Sequence, residues 1–378
     1  MRGGFREGAG RKSVKEKKIP KNIYLPPELE RKLSELRILD CKSFNKKCIY
    51  LLEKGLEYMD NERTTLEMTE KIKFIDLFAG IGGIRKGFED ENTIGVFSSE
   101  WDKFAQKTYE ANYGELPDGD ITKIDEADIP PHDVLLAGFP CQPFSMIGKR
   151  EGFGHETQGT LFFDVLRILK YHMPKMFLLE NVQGLLTIQN GETFKVIIKS
   201  LQEAGYQVFS DVLDAQNFGL PQVRKRVVIV GFRNDLGITS FNFPKGNENA
   251  KTPVGSILED NVEGYSISEH LQESYLFKKD DGKPQLVDKN STIQVKTLVA
   301  SYHKIQRLTG TFVKGGETGV RLFSQLECKR LMGFPDDFII PVSRTQMYRQ
   351  FGNSVAVPMM KAVADEMKLV LNQVKLKV

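Results

Sequence analysis

From Lys71 to about residue 233 the chain alternates short apolar runs with amphipathic segments, and this alternation limits the fold more than any other feature. Apolar runs at KFIDLF, TIGVFSS, Val134 to Ala137, Met176 to Leu179 and Val227 to Val230 read as strands. Between them IRKGFED, WDKFAQKTYEANY, Thr160 to Tyr171 and Gly191 to Ala204 read as helices. Strands and helices in turn predict an α/β fold, a doubly wound and mostly parallel sheet that binds ligands beyond the C-terminal ends of its strands.

The alternation stops at Asn234. Residues 234–318 are rich in Gly, Asn, Asp and Lys, with brief β-like runs such as Ser291 to Tyr302, and predict a separate, small, mostly β domain. Helix resumes over Ser324 to Met332, and Val355 to Leu371 predicts a long terminal helix, so residues 319–378 complete the domain begun at 71–233.

Residues 1–67 have a different character. Up to Lys21 there are eight Arg or Lys against two acids, a charge of +6, which leaves about −3 for the rest of a chain whose total is +3. A basic, glycine-containing arm beside a near-neutral body suits a polyanion, or is simply solvated. Ile19 to Leu25 then reads as a strand, Pro26 to Asp40 as a helix, and Ser43 as the cap of a second helix through Leu56. This unit is too short to bury a core alone, which points to a dimer; the other reading is a helical hairpin packed on the larger domain. No apolar run approaches the ~18 residues that span a bilayer, and Cys41, Cys48, Cys141 and Cys328 lack paired spacing. A cytoplasmic protein with reduced thiols, no structural metal and no membrane contact is expected.

Several reactive side chains fall at the predicted strand ends. GFPCQPFS holds Cys141 between Pro140 and Pro143 in an extended loop after the third strand, where a nucleophile would stand. A small buried cysteine is the plainer alternative. FAGIGG, Phe78 to Gly83, is a glycine turn without the full dinucleotide spacing. Glu100, at the end of the second strand, is placed to grip ribose hydroxyls, Trp101 to stack on adenine, and Asp120 with Ile121 to meet its amino group. Glu180 and Asn181 follow the apolar MFLL, so burial would raise the acid's pKa and suit it to hold a proton. Arg224 and Arg226 share one face by period two and would take a carboxylate, a phosphate or a base carbonyl.

Taken in order, FAGIGG, GFPCQPFS, ENV, QVRKR, RLFSQLECKRLMGFPDDF and QFGNSV strongly resemble the motifs of the DNA (cytosine-5) methyltransferases of bacterial restriction-modification systems, over nearly all the chain beyond the first ~68 residues. The N-terminal order of strand, helix, helix resembles the ribbon-helix-helix DNA-binding module.

The resemblance implies a Rossmann-like domain that uses S-adenosylmethionine on double-stranded DNA, in a bacterial or phage-encoded protein with a cognate restriction endonuclease as a candidate partner. It implies that Cys141 attacks C6 of a flipped cytosine, Glu180 engages N3, Arg226 contacts O2 and Arg224 supports the adduct. The matching cofactor positions are Phe78, Gly80, Gly82, Glu100, Trp101, Asp120, Ile121, Pro140, Leu161 and Asn353. Gln142 to Gly159 matches a loop that closes over the base, with Gln158 where the family usually has arginine. Residues 234–318 would be the target-recognition domain, in which Thr297 and Leu298 match a typical pair and Tyr302, His303, Lys304, Arg307 and Lys314 are candidate DNA contacts. A tRNA cytosine-5 methyltransferase and a DNA-binding regulator with an inert methyltransferase domain are the rival readings.

Overall fold

The computed structural model describes residues 27–35, 44, 48–55, 71–140 and 161–375. The chain divides into two units, Met1–Glu70 and Lys71–Val378. In the first, helix α1 (Pro27–Glu35) buries none of its side chains, and residues 48–55 form helix α2 with Ile49, Tyr50 and Leu52 exposed. The expected strand at Ile19 to Leu25, the basic arm and the cap at Ser43 lie outside the described residues, as do Cys141 and the segment Gln142 to Gly159.

In the second unit, strands β1 (Ile72–Leu77), β2 (Thr93–Ser99), β3 (Val134–Gly138), β4 (Met176–Val182), β5 (Tyr206–Asp214) and β6 (Lys225–Arg233) form one sheet in the order β2-β1-β3-β4-β6-β5. The pairs β1/β2, β1/β3 and β3/β4 are parallel, and β6 runs antiparallel to both β4 and β5. Side chains alternate between the faces. Phe74, Leu136, Leu178, Val228 and Val230 meet α3 (Gly83–Phe88) and α10 (Val357–Lys375) on one side. Ile75, Leu135, Leu179 and Ile229 meet α5 (Phe162–His172) and α6 (Glu192–Glu203) on the other. Burial on both faces explains why these strands read as nearly unbroken apolar runs. Chain order reverses between β1 and β3, which opens a crevice at their C-terminal ends.

Residues 234–318 depart from expectation in two ways. Ser291 to Tyr302 does not form a strand; only Val295 makes a single bridge, to Gln222. The regular β structure is a small sheet of β7 (Gln285–Val287), β8 (Thr311–Lys314) and β9 (Val320–Arg321), with one short helix, α7 (Glu269–Leu271), and single turns around it. Nor does the segment own its core. Val254, Leu276, Leu298, Tyr302 and Phe312 share one cluster with Leu331, Tyr348 and Phe351 of α8 (Gln325–Met332) and α9 (Arg344–Asn353). A short, polar, strand-poor segment has too little apolar surface to close on itself, so it borrows that of the returning helices. A buried bidentate pair, Arg321 to Glu327 with both contacts at 2.7 Å, ties β9 to the capping box of α8.

Candidate active site

β1 runs straight into the glycine turn. Phe78, Gly80 and Gly82 have φ of +53°, +56° and +78°. Glycine adopts this region freely, whereas a phenylalanine held there costs about 1–3 kcal/mol and persists only when its surroundings enforce it. They do so here with main-chain bonds from Ala79 N–H to Ser99 O (2.9 Å) and from Gly82 N–H to Ala79 O (2.7 Å). Glu100 accepts the Gly80 N–H at 2.8 Å on one oxygen and the Asp102 N–H at 2.7 Å on the other. Burial raises the Glu100 pKa, and those backbone donors oppose the rise. From α4 (Lys103–Tyr113), the Tyr113 hydroxyl donates to Gly82 O at 2.8 Å, and its ring occupies the space that a Cβ on Gly82 would need. Arg85 lies over the Tyr113 ring and binds the Tyr109 hydroxyl, Glu89 and Glu115.

Trp101 is 78% exposed beside this buried carboxylate, so it is free to stack on a ligand and is not a core residue. Asp120 caps a turn, accepting from the Thr122 backbone and hydroxyl, and this holds its carboxyl below the usual range. Ile121 is buried, Leu161 precedes the first turn of α5, and Pro140 is exposed just past β3. Asn353 is exposed at the last turn of α9. That turn abuts the start of α3, for a Cβ on Gly83 would meet Ser354 Oγ at 2.6 Å. An exposed aromatic ring, a buried carboxylate and an exposed amide around a bent glycine turn fit the stacking and hydroxyl recognition that an adenosyl group requires.

The candidate catalytic residues lie at β3, β4 and β6. Glu180 and Asn181 sit inside β4, two residues and one residue before its end, and not beyond it as the apolar run suggested, because β4 continues in register with β6 as far as Val182 and Arg226. Glu180 pairs with Gly138 across β3, and Asn181 Nδ2 donates to Phe139 O at 2.9 Å, which fixes the chain as it leaves β3 toward Cys141. Glu180 is 8% exposed and its carboxylate meets Arg226 Nε at 2.9 Å. Burial still raises its pKa against the pull of both arginines. Arg224 departs from expectation. It is 1% exposed and its guanidinium donates to the carbonyls of Leu298 (2.9 Å), Gly352 (3.0 Å) and Ser354, so it faces protein, not an open site.

Three of the proposed DNA contacts are structural. Tyr302 is a core ring whose hydroxyl donates to Thr311 O at 2.7 Å and accepts from Phe323 N–H. Arg307 is buried against Asp281 and the carbonyls of Leu276 and Lys279. Leu298 is buried as well. Thr297 donates to Val223 O at 2.7 Å, Lys314 pairs with Asp288 at 3.0 Å, His303 is half-buried, and Lys304 is exposed. Sequence reasoning passed over Gln222 and Tyr113, though Gln222 opens the QVRKR motif.

A family model for C-5 cytosine-specific DNA methylases matches residues 72–369. The chain belongs to that family. Among its relatives, the Type II methyltransferase M.BsuFI of Bacillus subtilis is 62% identical over 97% of both chains. M.MspI of a Moraxella species is 59% identical over 80% of this methylase and 72% of its own length. A mutant of DNMT2 from Spodoptera frugiperda and the Dnmt2 methyltransferase of S. pombe share the fold, each at 22% identity and TM-score 0.64 over 80% of this chain. Methylases of this family take the methyl group from S-adenosylmethionine and act on DNA. Among the described residues no helix of the methylase is long and apolar enough to cross a membrane, and no cluster of His, Cys, Asp and Glu could hold a metal ion.

Proposed function

We propose that the methylase modifies one cytosine of a short duplex site by covalent catalysis from Cys141. The observation that carries this reading is the buried Glu180–Arg226 pair at 2.9 Å, set beside the end of the strand that leads to Cys141. The thiolate adds to C6 of the cytosine, forming a carbon–sulfur bond and moving electron density to C5. Glu180, whose pKa burial raises, holds a proton toward N3 and drains charge from the ring. Arg226, fixed by Glu180, contacts O2. Glu100, Trp101, Asp120 and the turn from Phe78 to Gly82 would hold S-adenosylmethionine, which would supply the methyl group for C5 and leave as S-adenosylhomocysteine. Loss of the C5 proton to a base then lets the thiolate leave and restores the aromatic ring.

Cytosine C6 is shielded in a stacked duplex, so the base must be flipped out, at a cost of a few kcal/mol. Residues 234–318, with Lys304 and His303 still open to solvent or partly so, support recognition of the flanking bases. The exposed Leu29, Ile49 and Leu52 of the N-terminal helices support self-association of that unit, with its own promoter DNA as a ligand. A cytoplasmic location and a cognate endonuclease accord with the Type II relatives.

The test is Cys141→Ser assayed with labelled cofactor on plasmid DNA, with tRNA as the competing substrate. A serine hydroxyl is far less nucleophilic, and transfer is expected to fall at least about a thousandfold. Undiminished transfer to DNA would refute the mechanism, and transfer to tRNA alone would move the substrate.

A further inference from the structure

The stretch from Pro221 to Arg226 joins parts of the chain that lie far apart in sequence. Val223 N–H donates to Val295 O and Val295 N–H to Pro221 O, both at 2.9 Å, so the two segments are zipped together in parallel. Side chains extend the zipper. Gln222, fully buried, accepts the Leu298 N–H on its amide oxygen at 2.6 Å and donates from Nε2 to Leu331 O at 3.0 Å. Arg224 takes the other side of the same residue, donating to Leu298 O at 2.9 Å while also holding Gly352 O and Ser354 O. Thr297 Oγ1 donates to Val223 O at 2.7 Å. Two residues past Arg224, Arg226 meets Glu180.

Burying an amide and a guanidinium is expensive unless each is bonded, and truncating either would strand the polar backbone of Leu298. The bonds hold both the N–H and the C=O of one residue in the recognition segment, and the backbone that holds them continues directly into the reacting pair. We propose that Gln222 and Arg224 are positioning residues that set the distance between the segment that reads DNA and the pair that engages the cytosine. They thereby decide which base of the site is presented to Glu180. This rests on reading residues 234–318 as the recognition element. Arg224 acts on the substrate only through Leu298 and its neighbours.

The full chain is assayed on duplexes carrying its preferred site, found by sequencing methylated DNA, and on every single-base variant of that site. Arg224→Lys keeps the charge but cannot span three carbonyls. It is expected to raise KM for DNA about tenfold and lower discrimination against variant sites about tenfold, with kcat on the preferred site within about threefold of wild type. Gln222→Met, near in shape and without the amide, is expected to do the same and serves where Arg224→Lys does not fold. Arg226→Lys is expected to show the opposite split, a lower kcat with discrimination kept. Lower kcat with intact discrimination in Arg224→Lys would overturn the proposal and return Arg224 to the chemistry. Unchanged discrimination in folded Gln222→Met would overturn it too. A wild-type chain that methylates without site preference would instead refute the recognition reading, and the proposal with it.

Discussion

Asp76 sits in β1, two residues before Phe78 opens the glycine turn, 1% exposed, with Oδ2 lacking any partner among the described residues. Burial pushes its pKa up to about 8, while Arg85 pulls the other way. An unfolded aspartate titrates near 4, so folding favours the protonated acid. That contribution to stability is whole below the unfolded value and is lost as pH rises through about 8, at up to about 1.4 kcal/mol per unit. Asp76→Asn is therefore expected to match wild type at pH 4 and to melt at a higher temperature than wild type at pH 9. Parallel melting curves across that range would show that Arg85 already keeps the carboxylate ionised. Glu100 and Trp101 were legible in sequence because a strand end declares itself by an apolar run that stops. Arg224 was not, because its three acceptors are carbonyls, which no side-chain pattern reports.

At the scale of elements, α9 does more than close the core. Gln350 accepts the Thr108 hydroxyl at 3.0 Å and donates to Phe104 O at 2.9 Å, which pins the helix to α4 and brings Asn353 beside the glycine turn. On its other side a Cβ on Gly352 would lie 2.0 Å from Ala300 N and 2.3 Å from Val299 C. Backbone cannot swing aside as a side chain can, so α9 and the segment at Val299 and Ala300 would have to part. Gly352→Ala is expected to cost about 1–3 kcal/mol in denaturant unfolding, the range for overpacking, and to raise KM for DNA more than KM for cofactor. A change below about 0.5 kcal/mol would mean that the contact is loose. Five of the six strands and the helices between them in residues 71–233 were foreseeable because each is amphipathic or apolar by itself; β5, whose side chains are mostly only half-buried, has no such run and was not. Tyr302 and Arg307 were misread as surface because their segment is polar in composition, while Tyr302 is buried in the cluster it shares with α8 and α9, and Arg307 against Leu276, Lys279 and Asp281.

The molecule as a whole is two units, and the second contains the glycine turn, the Glu180–Arg226 pair and residues 234–318. Residues 71–378 alone are therefore expected to transfer methyl groups to a short duplex at a rate within about threefold of the full chain, as independent domains do. Sedimentation of the full chain should give a dimer and of residues 71–378 a monomer; loss of activity on truncation would assign the N-terminal unit to the enzyme itself. The amino-acid sequence alone determined the family and, β5 apart, the order of strands and helices in residues 71–233, because those depend on local apolar pattern and on motifs written in contiguous residues. Only the tertiary structure decided that residues 234–318 have no core of their own and that Arg224 faces protein. Its partners lie 74 to 130 residues away, and which distant carbonyl meets a buried guanidinium is settled by packing, not by its neighbours in the chain.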